Sequence, residues 1–372
     1  MVATVRKCRT TRLLSPVLVL ALWLSGCGQV GKAGSSDGAS DWTGSYPYAD
    51  SDRVIPFGGE LVSFSPRSGE VSVRSFSGGA VTDLSSVKVS GDIWAIEAGS
   101  VGKELWLLVT SCSEKIVRGD DFPNCPGQLA LHAFRSSDGQ TFGATEGDSS
   151  KQLGDGVWHV NSGPYERQGQ AFAVLGDYTS DRQLDVTIDS GGFHVDEQAS
   201  RDQRDGAFCN ADGDLYFLSS APNYGANQNG AFRLQRSDGA SKWEDIPLPD
   251  LPAGTYNVSL NCASGGAWLT YHEQGHGDLL ALSDPSARVR LEGLSRVFSS
   301  STAADLFVVS LTPTGESQAA RVDERGKSTV LERDRYEALA KDGEPLSLWS
   351  DSASNTLYLG LTQEGKLNVA SL

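Results

Sequence analysis

The feature that most constrains the fold of this chain is a recurring pair of short strand-like runs. From about residue 51, segments rich in aromatic and β-branched residues alternate with clusters of Gly, Asp, Ser and Asn, as in GELVSFSP at 59–66. A second run follows many of these segments after a polar gap: KELWLLVTS at 103–111 precedes GQLALHAFRS at 127–136. Only ERDRYEALAKDG at 332–343 has the pattern of a helix. The sequence therefore predicts an all-β protein built from antiparallel hairpins.

The recurrence has a period close to that of a propeller blade. The leading aromatic residues of six successive segments are separated by 39 to 66 residues. These residues are Trp106, Phe172, Tyr216, Trp268, Phe307 and Tyr358. Repeats of about 40–50 residues are typical of β-propeller blades, each of which is a four-stranded sheet. The span 51–372 is therefore predicted to be one β-propeller domain of seven four-stranded blades, and a pair of β-sandwiches is the alternative architecture.

The two ends of the predicted domain indicate how the ring is closed. After residue 345 the chain offers only three strand-like runs, LSLWSD, TLYLGLT and KLNVASL. A strand from the N-terminal side is therefore expected to complete the last blade, and RVIPFGG at 53–59 is the candidate. The wide gap between Trp106 and Phe172 is explained by a long loop that contains Cys112 and Cys125.

The first 27 residues resemble a bacterial lipoprotein signal peptide. Four Lys and Arg residues lie within positions 1–12, and the apolar run Leu13–Leu24 follows them. This run is shorter than the roughly 20 residues that a membrane span needs. Leu24-Ser25-Gly26-Cys27 then resembles a lipobox, which implies cleavage before Cys27 and attachment of lipid, including palmitate, to that residue. An ordinary cleaved signal peptide is the alternative.

The segment between the lipobox and the first strand-like run has the composition of a linker. Residues 28–50 are rich in Gly, Ser, Ala and Asp, which is typical of a flexible tether. We therefore expect a single domain that is lipid-anchored to a bacterial cell membrane and faces the extracytoplasmic side.

The charge of the chain limits its partners. The chain carries 31 Lys and Arg against 47 Asp and Glu, and loss of the four basic residues of the leader makes the balance still more acidic. Such a surface disfavours nucleic acid and other polyanions as partners. The expected partners are the membrane, through the lipid anchor, and an unidentified protein or glycan, with the protein itself a monomer.

Four cysteines remain beyond the lipobox, and an even number in an exported chain favours two disulfides. Three pairings are possible. We favour Cys112 with Cys125, which closes the long loop. We favour Cys209 with Cys262 because FCNADGDLYF and NCASGGAWLTY place them at matching positions of neighbouring repeats.

Two predicted hairpins, AFRSSDGQTF at 133–142 and RLQRSDGASKWEDI at 233–246, resemble a known repeat. It is the Asp-box of bacterial neuraminidases, with the pattern Ser-x-Asp-x-Gly-x-Thr-Trp. The matching residues are Ser136, Asp138, Gly139, Thr141, Phe142, Ser237, Asp238, Gly239 and Trp243. In such a turn Asp accepts backbone N–H groups, Gly adopts a positive φ and the aromatic residue packs into the blade. The resemblance implies a sialidase-like propeller and a structural role for these residues.

The resemblance does not extend to the catalytic residues. Sialidases of that family use an Arg triad, a Tyr nucleophile assisted by Glu, and an acidic Asp. The nearest match to their N-terminal Arg motif is Asp52-Arg53-Val54-Ile55-Pro56, which has one extra residue and lacks the aromatic residue. No catalytic residue is therefore assigned from the sequence.

One string matches a catalytic motif: His272-Glu273-Gln274-Gly275-His276 has the HExxH form of zinc proteases, in which a helix places both histidines on one face. Here strand-like runs flank the string, and glycines at 275 and 277 disfavour a helix. We therefore predict a polar hairpin in which His272 and His276 are at most contacts for a ligand or an adventitious metal. No metal site, cofactor or stoichiometric zinc is expected.

Taken together, these observations favour a non-catalytic binding or scaffold module for a surface protein or glycan. A sialidase-like glycoside hydrolase or lyase is the alternative, and an assembly factor for a membrane complex is a third possibility. On this interpretation the protein is not an enzyme.

Overall fold

The computed structural model describes most of the chain from residue 41 onward. The described ranges are 41–118, 123–144, 150–177, 182–189, 192–198, 206–211, 213–220, 232–237, 243–249, 251–252, 255–273, 276–284, 286–292, 294–299, 303–311, 317–331, 344–351 and 353–372. They contain the strands β1–β31 and no helix, and therefore no helix that could cross a membrane. The predicted signal peptide, Cys27 and the predicted helix at 332–343 lie outside these ranges.

Seven antiparallel sheets follow one another along the chain, and each is a blade of a β-propeller. Blade 1 consists of β2 (Arg53–Phe57), β3 (Glu60–Arg67), β4 (Glu70–Ser77) and β5 (Ala80–Lys88). Blade 2 consists of β6 (Asp92–Val101), β7 (Glu104–Cys112), β10 (Leu129–Ser136) and, sharing the fourth position, β11 (Gly143–Ala144) and β12 (Ser150–Gln152). The loop of blade 2 contains the short pair β8 (Val117–Arg118) and β9 (Pro123–Asn124). Blade 3 consists of β13 (Trp158–Arg167), β14 (Gln170–Asp177), β15 (Gln183–Asp189) and β16 (Gly192–Gln198).

The remaining blades have the same order. Blade 4 consists of β17 (Gly206–Ala211), β18 (Asp214–Ser220), β19 (Phe232–Ser237) and β20 (Glu244–Ile246). Blade 5 consists of β21 (Tyr256–Ala263), β22 (Gly266–Glu273), β23 (His276–Ala281) and β24 (Arg288–Glu292). Blade 6 consists of β25 (Leu294–Phe298), β26 (Leu306–Leu311), β27 (Ser317–Val322) and β28 (Ser328–Val330). Blade 7 consists of β29 (Glu344–Asp351), β30 (Thr356–Gln363), β31 (Lys366–Ser371) and β1 (Gly44–Pro47). The prediction of a seven-bladed propeller is confirmed, and the alternative of paired sandwiches is not.

The second strand of each blade explains why the sequence shows near-continuous apolar runs. Successive side chains of a strand point to opposite faces, and a blade packs on a neighbour at each face. In β7, Leu105 and Leu107 pack against blade 1, while Trp106 and Leu108 pack against blade 3. Every residue of β7 after Glu104 is buried. Hydrophobic clusters of this kind occupy all seven seams between blades, so the ring is held mainly by burial of apolar surface.

The ring is closed by a strand that lies further upstream than the sequence indicated. β1 pairs antiparallel with β31, with Tyr46 opposite Leu367. The Tyr46 ring is fully buried and stacks on Phe76 of blade 1 at 4.5 Å between centroids. Its hydroxyl donates to the carbonyl oxygen of Trp42 at 2.9 Å and accepts from the backbone N–H of Gly79 at 3.2 Å. A strand of four residues thus joins blade 7 to blade 1.

Two sequence-based assignments are corrected by this closure. The run at 53–59 is not the closing strand, since residues 53–57 form β2, the first strand of blade 1. The tether also cannot extend to residue 50, because residues 44–47 form β1 and Trp42 is buried. The Gly- and Ser-rich segment also contains Trp42 and Tyr46, which are buried. Their burial depends on contacts with distant parts of the chain, so the composition of the segment did not predict it.

Both predicted disulfides are present. Cys112 and Cys125 are bonded across the loop of blade 2, with Cα atoms 5.7 Å apart. Cys209 of β17 and Cys262 of β21 are bonded with Cα atoms 5.6 Å apart. Since β17 and β21 are the first strands of blades 4 and 5, the second disulfide links matching strands of adjacent blades, as the repeat alignment predicted.

The turn after the third strand of blade 2 has the geometry that the sequence predicted. Asp138 Oδ1 accepts hydrogen bonds from Ser136 Oγ at 2.7 Å and from the backbone N–H groups of Gln140 and Thr141 at 2.8 Å each. Gly139 has a φ of +70°. Phe142 meets Phe64 of blade 1 edge-on at 5.5 Å, so the turn also fills the seam between blades 1 and 2.

The second turn of this type is only partly described. Asp238 and Gly239 lie outside the described residues. Ser237 is buried and accepts a hydrogen bond from Arg167 Nη2 at 3.0 Å. Trp243 packs edge-on against Phe217 at 6.2 Å. Two related turns were not anticipated: Asp284 and Asp323 accept backbone N–H groups after the third strands of blades 5 and 6.

Replacing Asp138 with asparagine is expected to reduce the acid sensitivity of the fold. Hydrogen bonding by the Thr141 N–H, opposed by burial and supported by Ser136 and Gln140, lowers the pKa of Asp138. The stabilisation is therefore complete above the ordinary aspartate pKa of about 3.9 and is lost as pH falls through the lower folded value. Thermal unfolding of Asp138→Asn between neutral pH and pH 2 should show a smaller acid-dependent decrease in Tm than the wild type. Ser137→Ala, an exposed neighbour, is the control, and equal pH profiles for Asp138→Asn and wild type would contradict the expectation.

Candidate functional site

The first strands of the blades surround a central cavity with a volume of about 830 Å³. Its walls are formed by the later parts of β6, β13 and β17, by parts of β2 and β29, and by the turns after β13, β17 and β21. Polar residues that line it include Glu97, Asn161, Ser162, Tyr165, Glu166 and Asn210. A cavity of this size with several hydrogen-bonding groups is typical of a small-molecule site.

An ion pair between blades 1 and 2 places a fixed carboxylate on the cavity wall. Arg53 Nη2 donates to Glu97 Oε1 at 2.8 Å and Arg53 Nε donates to Glu97 Oε2 at 3.0 Å. The hydrogen bonds with Glu97 raise the pKa of Arg53, against the opposing effect of its burial. Both side chains retain about a third of their exposure, 35% for Arg53 and 27% for Glu97. The pair is therefore oriented by two hydrogen bonds, and its carboxylate partner, Glu97, lines the cavity.

An irregular strand brings a phenol beside this ion pair. β13 pairs with β14 through two register shifts, one between Val160 and Ser162 and one between Ser162 and Tyr165. Such bulges redirect side chains and are common next to active sites. The hydroxyls of Ser162 and Tyr165 share a hydrogen bond of 2.6 Å. Burial raises the pKa of Tyr165, the Ser162 hydrogen bond opposes this, and the charge of Glu97 adds to it. The phenol is therefore protonated at neutral pH.

Close backbone contacts explain two glycines of the cavity wall, Gly99 where β6 meets β13 and Gly163 where β13 meets β14. A Cβ atom on Gly99 would lie 2.4 Å from the carbonyl oxygen of Pro164. A Cβ atom on Gly163 would lie 2.7 Å from the carbonyl oxygen of Phe172, and Gly163 has a φ of +104°. The close approach of β6 to β13 brings the polar side chains of these two strands to adjoining parts of the cavity wall.

A second carboxylate lies on the same two strands. Glu166 follows Tyr165 in β13, and its Oε2 accepts a hydrogen bond from the backbone N–H of Gly102 at 2.8 Å. Gly102 belongs to the turn between β6 and β7, so Glu166 also links blades 2 and 3. Unlike Glu97, Glu166 is exposed. The cavity therefore carries one ion-paired and one solvent-exposed carboxylate.

The sequence did not identify these cavity residues. Glu97 lies within the strand-like run DIWAIEAGS and Glu166 within an irregular one, and neither belongs to a local motif. Arg53 was noticed for its likeness to the Arg of sialidases, but no role was assigned to it.

The HExxH string forms the hairpin that the sequence predicted. Glu273 at the end of β22 lies directly opposite His276 at the start of β23. His272 is one residue before Glu273, so it points to the other face of the blade. There, His272 Nε2 accepts a hydrogen bond from the backbone N–H of Ser295 in blade 6 at 3.3 Å. The two histidines lie on opposite faces and do not form the zinc-protease arrangement.

Comparisons with known proteins find structural likeness but no sequence relative. No protein-family model matches the sequence, and no curated protein is significantly similar to it. Similar solved structures include the α-L-arabinanase of Penicillium chrysogenum complexed with arabinobiose, at 11% identity over 78% of this chain and 99% of that chain, with a TM-score of 0.39. The α-L-arabinofuranosidase of glycoside hydrolase family 93 from Fusarium graminearum is 12% identical over 79% and 96% of the two chains, with a TM-score of 0.41.

Prolyl oligopeptidase B of Galerina marginata is also similar, at 14% identity and a TM-score of 0.43. The match covers 83% of this chain but 46% of the peptidase, so the chain spans about half the length of that protein. At these identities the likeness shows the β-propeller fold alone.

The prediction of a non-catalytic binding or scaffold module is corrected here. It was based on the lack of recognisable catalytic motifs in a propeller. The matched propellers include an arabinanase and an arabinofuranosidase at only 11% and 12% identity. The absence of recognisable motifs is not evidence that an activity is absent.

Proposed function

We propose that the protein is a glycoside hydrolase whose substrate binds in the central cavity. The observation that carries the proposal is the presence of Glu97 and Glu166 on adjoining first strands that line the cavity. Most glycosidases use two carboxyl groups that flank the scissile bond. The surrounding serine, asparagine and tyrosine side chains supply the hydrogen bonds that sugar hydroxyls require.

The two carboxylates have different surroundings, which supports different roles. Glu97 accepts both hydrogen bonds from Arg53, an arrangement that suits a nucleophile or base rather than a proton donor. Glu166, which is exposed and accepts one backbone hydrogen bond, is the candidate acid. The protonated Tyr165 is placed to donate a hydrogen bond to the substrate. Retaining and inverting enzymes differ in carboxylate separation, so the anomer released identifies the mechanism.

Neutral glycosides are the proposed substrates. Arg53, the candidate for binding a substrate carboxylate, is already paired with Glu97. The acidic chain would also repel anionic sugars. The proposal therefore keeps the glycosidase class of the sequence-based alternative but not the sialoside substrate.

The proposed location is the outer face of a bacterial membrane, with the enzyme held by lipid on Cys27. The lipobox resemblance and the signal-like leader support it. Palmitate labelling that is lost in Cys27→Ser tests the anchor.

A panel of aryl glycosides and oligosaccharides tests the activity. The purified protein is expected to release nitrophenol from at least one neutral aryl glycoside and to leave aryl sialosides intact. Hydrolysis of sialosides alone would contradict the substrate assignment. A complete lack of turnover across neutral and anionic substrates would contradict the proposed function.

A further inference from the structure

We propose that Glu273, His276 and Asp278 of blade 5 form a binding site for a divalent transition-metal cation. His276 Nε2 lies 3.7 Å from Glu273 Oε2 and 3.9 Å from Asp278 Oδ2. All three potential ligand atoms lie within 4.8 Å of one another. The two separations from His276 Nε2 are compatible with a cation about 2.0–2.2 Å from each ligand atom, as in a zinc site.

The pairing of the strands explains how the three residues meet. Glu273 of β22 is directly opposite His276 of β23, and Asp278 is two residues further along β23. Residues two apart on a strand point to the same face, and directly opposite residues share it. All three side chains therefore lie on one face of blade 5, the face on which Leu269 packs against Leu218 of blade 4.

The imidazole supplies a second, separate observation. His276 Nε2 is buried and has no hydrogen-bond partner among the described residues. An unpaired buried polar atom costs about 1–3 kcal/mol, and the two nearest carboxylate oxygens are too distant for a hydrogen bond. A cation would satisfy this nitrogen and both carboxylates at once.

A neighbouring arginine orients the buried ligand, and a second one, Arg290, has its Nε 3.7 Å from Asp278 Oδ1. Asp278 is completely buried, and Arg288 donates to its Oδ1 at 3.0 Å and to its Oδ2 at 2.7 Å. Arg288 also donates to the hydroxyl of Tyr271 at 2.7 Å. Each carboxylate oxygen has two lone pairs, so Oδ2 can accept from Arg288 and still bind a cation. Hydrogen-bonded supporting residues of this kind fix the orientation of metal ligands.

The ligand set indicates the class of metal. One imidazole and two carboxylates suit Zn²⁺ or Mn²⁺, whereas Mg²⁺ and Ca²⁺ prefer oxygen ligands alone. The site departs from the sequence-based expectation of no metal. That expectation concerned His272 and His276 on a helix, whereas the structure groups His276 with two carboxylates and leaves His272 on the other face.

The cluster also has a metal-free explanation, in which the His276 imidazole pairs directly with the two carboxylates. Isothermal titration distinguishes the two. The full-length protein, stripped with a chelator and dialysed, is titrated with ZnCl₂ and MnCl₂, and with CaCl₂ as the oxygen-preferring comparison. We expect saturable binding of one Zn²⁺ or Mn²⁺ per chain and weaker binding of Ca²⁺.

Substitution of the ligands provides the decisive comparison. His276→Ala and Glu273→Gln are each expected to weaken binding by more than about tenfold, since loss of supporting residues alone costs about 10–100-fold. His194→Ala is the matched control, because His194 is an exposed histidine beside Asp189 in blade 3. Circular dichroism confirms that the variants are folded. No saturable binding, equal binding by His276→Ala, or preference for Ca²⁺ would overturn the proposal. None of these outcomes depends on glycosidase activity.

Discussion

Replacing Glu97 with glutamine is expected to lower kcat by about 10²–10⁴-fold on any glycoside that the protein cleaves, the range typical of a positioned acid–base group. Glutamine has nearly the same shape but no negative charge, so it cannot act as a nucleophile or base. It also retains an oxygen that can accept from Arg53. KM is expected to change little, because the change affects the transition state more than the bound substrate.

A matched control exists on the same blade. Glu104 forms an ion pair with Arg135, N to O 3.6 Å, and the two side chains have exposures of 35% and 37%. This pair resembles Glu97 and Arg53 in exposure, but Glu104 does not line the cavity. Glu104→Gln is therefore expected to leave kcat unchanged. Steady-state kinetics of both variants, with circular dichroism to verify folding, provide the measurement. Equal activity of Glu97→Gln and wild type would exclude Glu97 from the chemistry.

The substitution Trp42→Ala is expected to lower the free energy of unfolding by about 3–5 kcal/mol, the range for large-to-small changes in a core. Trp42 is 2% exposed, and its ring lies 5.0 Å from that of Tyr358 in blade 7. Its Nε1 donates to the carbonyl oxygen of Gly59 in blade 1 at 3.1 Å. One side chain thus connects the first and last blades, and its removal leaves a cavity and an unpaired carbonyl at the point of closure.

Chemical denaturation measures this effect, with Val330→Ala as the control. Val330 is 55% exposed on the outer strand of blade 6, and such surface changes usually alter stability by less than about 0.5 kcal/mol. A loss below about 1 kcal/mol for Trp42→Ala would mean that residues 41–47 contribute little to the closed ring. The experiment therefore also tests where the domain begins.

Much of the architecture was predictable because it depends on local periodicity. Aromatic residues such as Trp106 and Trp268 recur at intervals equal to the length of a blade. The second strand of each blade is apolar because its alternate side chains pack against the two neighbouring blades. The pairing of Cys209 with Cys262 followed from the same repeat, since equivalent positions of adjacent blades lie side by side. The turn at Asp138 was predictable because its hydrogen bonds join residues only two or three positions apart.

The closing strand and the cavity were not predictable in this way. β1 is a four-residue strand whose partner, β31, lies more than 300 residues away, and nothing in GSYP marks that register. Glu97 and Glu166 are separated by 69 positions and line the same cavity only because β6 and β13 are adjacent first strands. Their shared location is a property of the assembled ring.

The HExxH string shows both sides of this division. The sequence alone determined that a strand hairpin, and not a helix, carries His272 and His276, because glycine content and strand periodicity act over a few residues. Only the tertiary structure decided what those residues face, since strand pairing turns His272 toward blade 6 and His276 toward Asp278. Local sequence patterns specify the strands and turns. Which side chains meet in a site is determined by packing between blades that are distant in sequence.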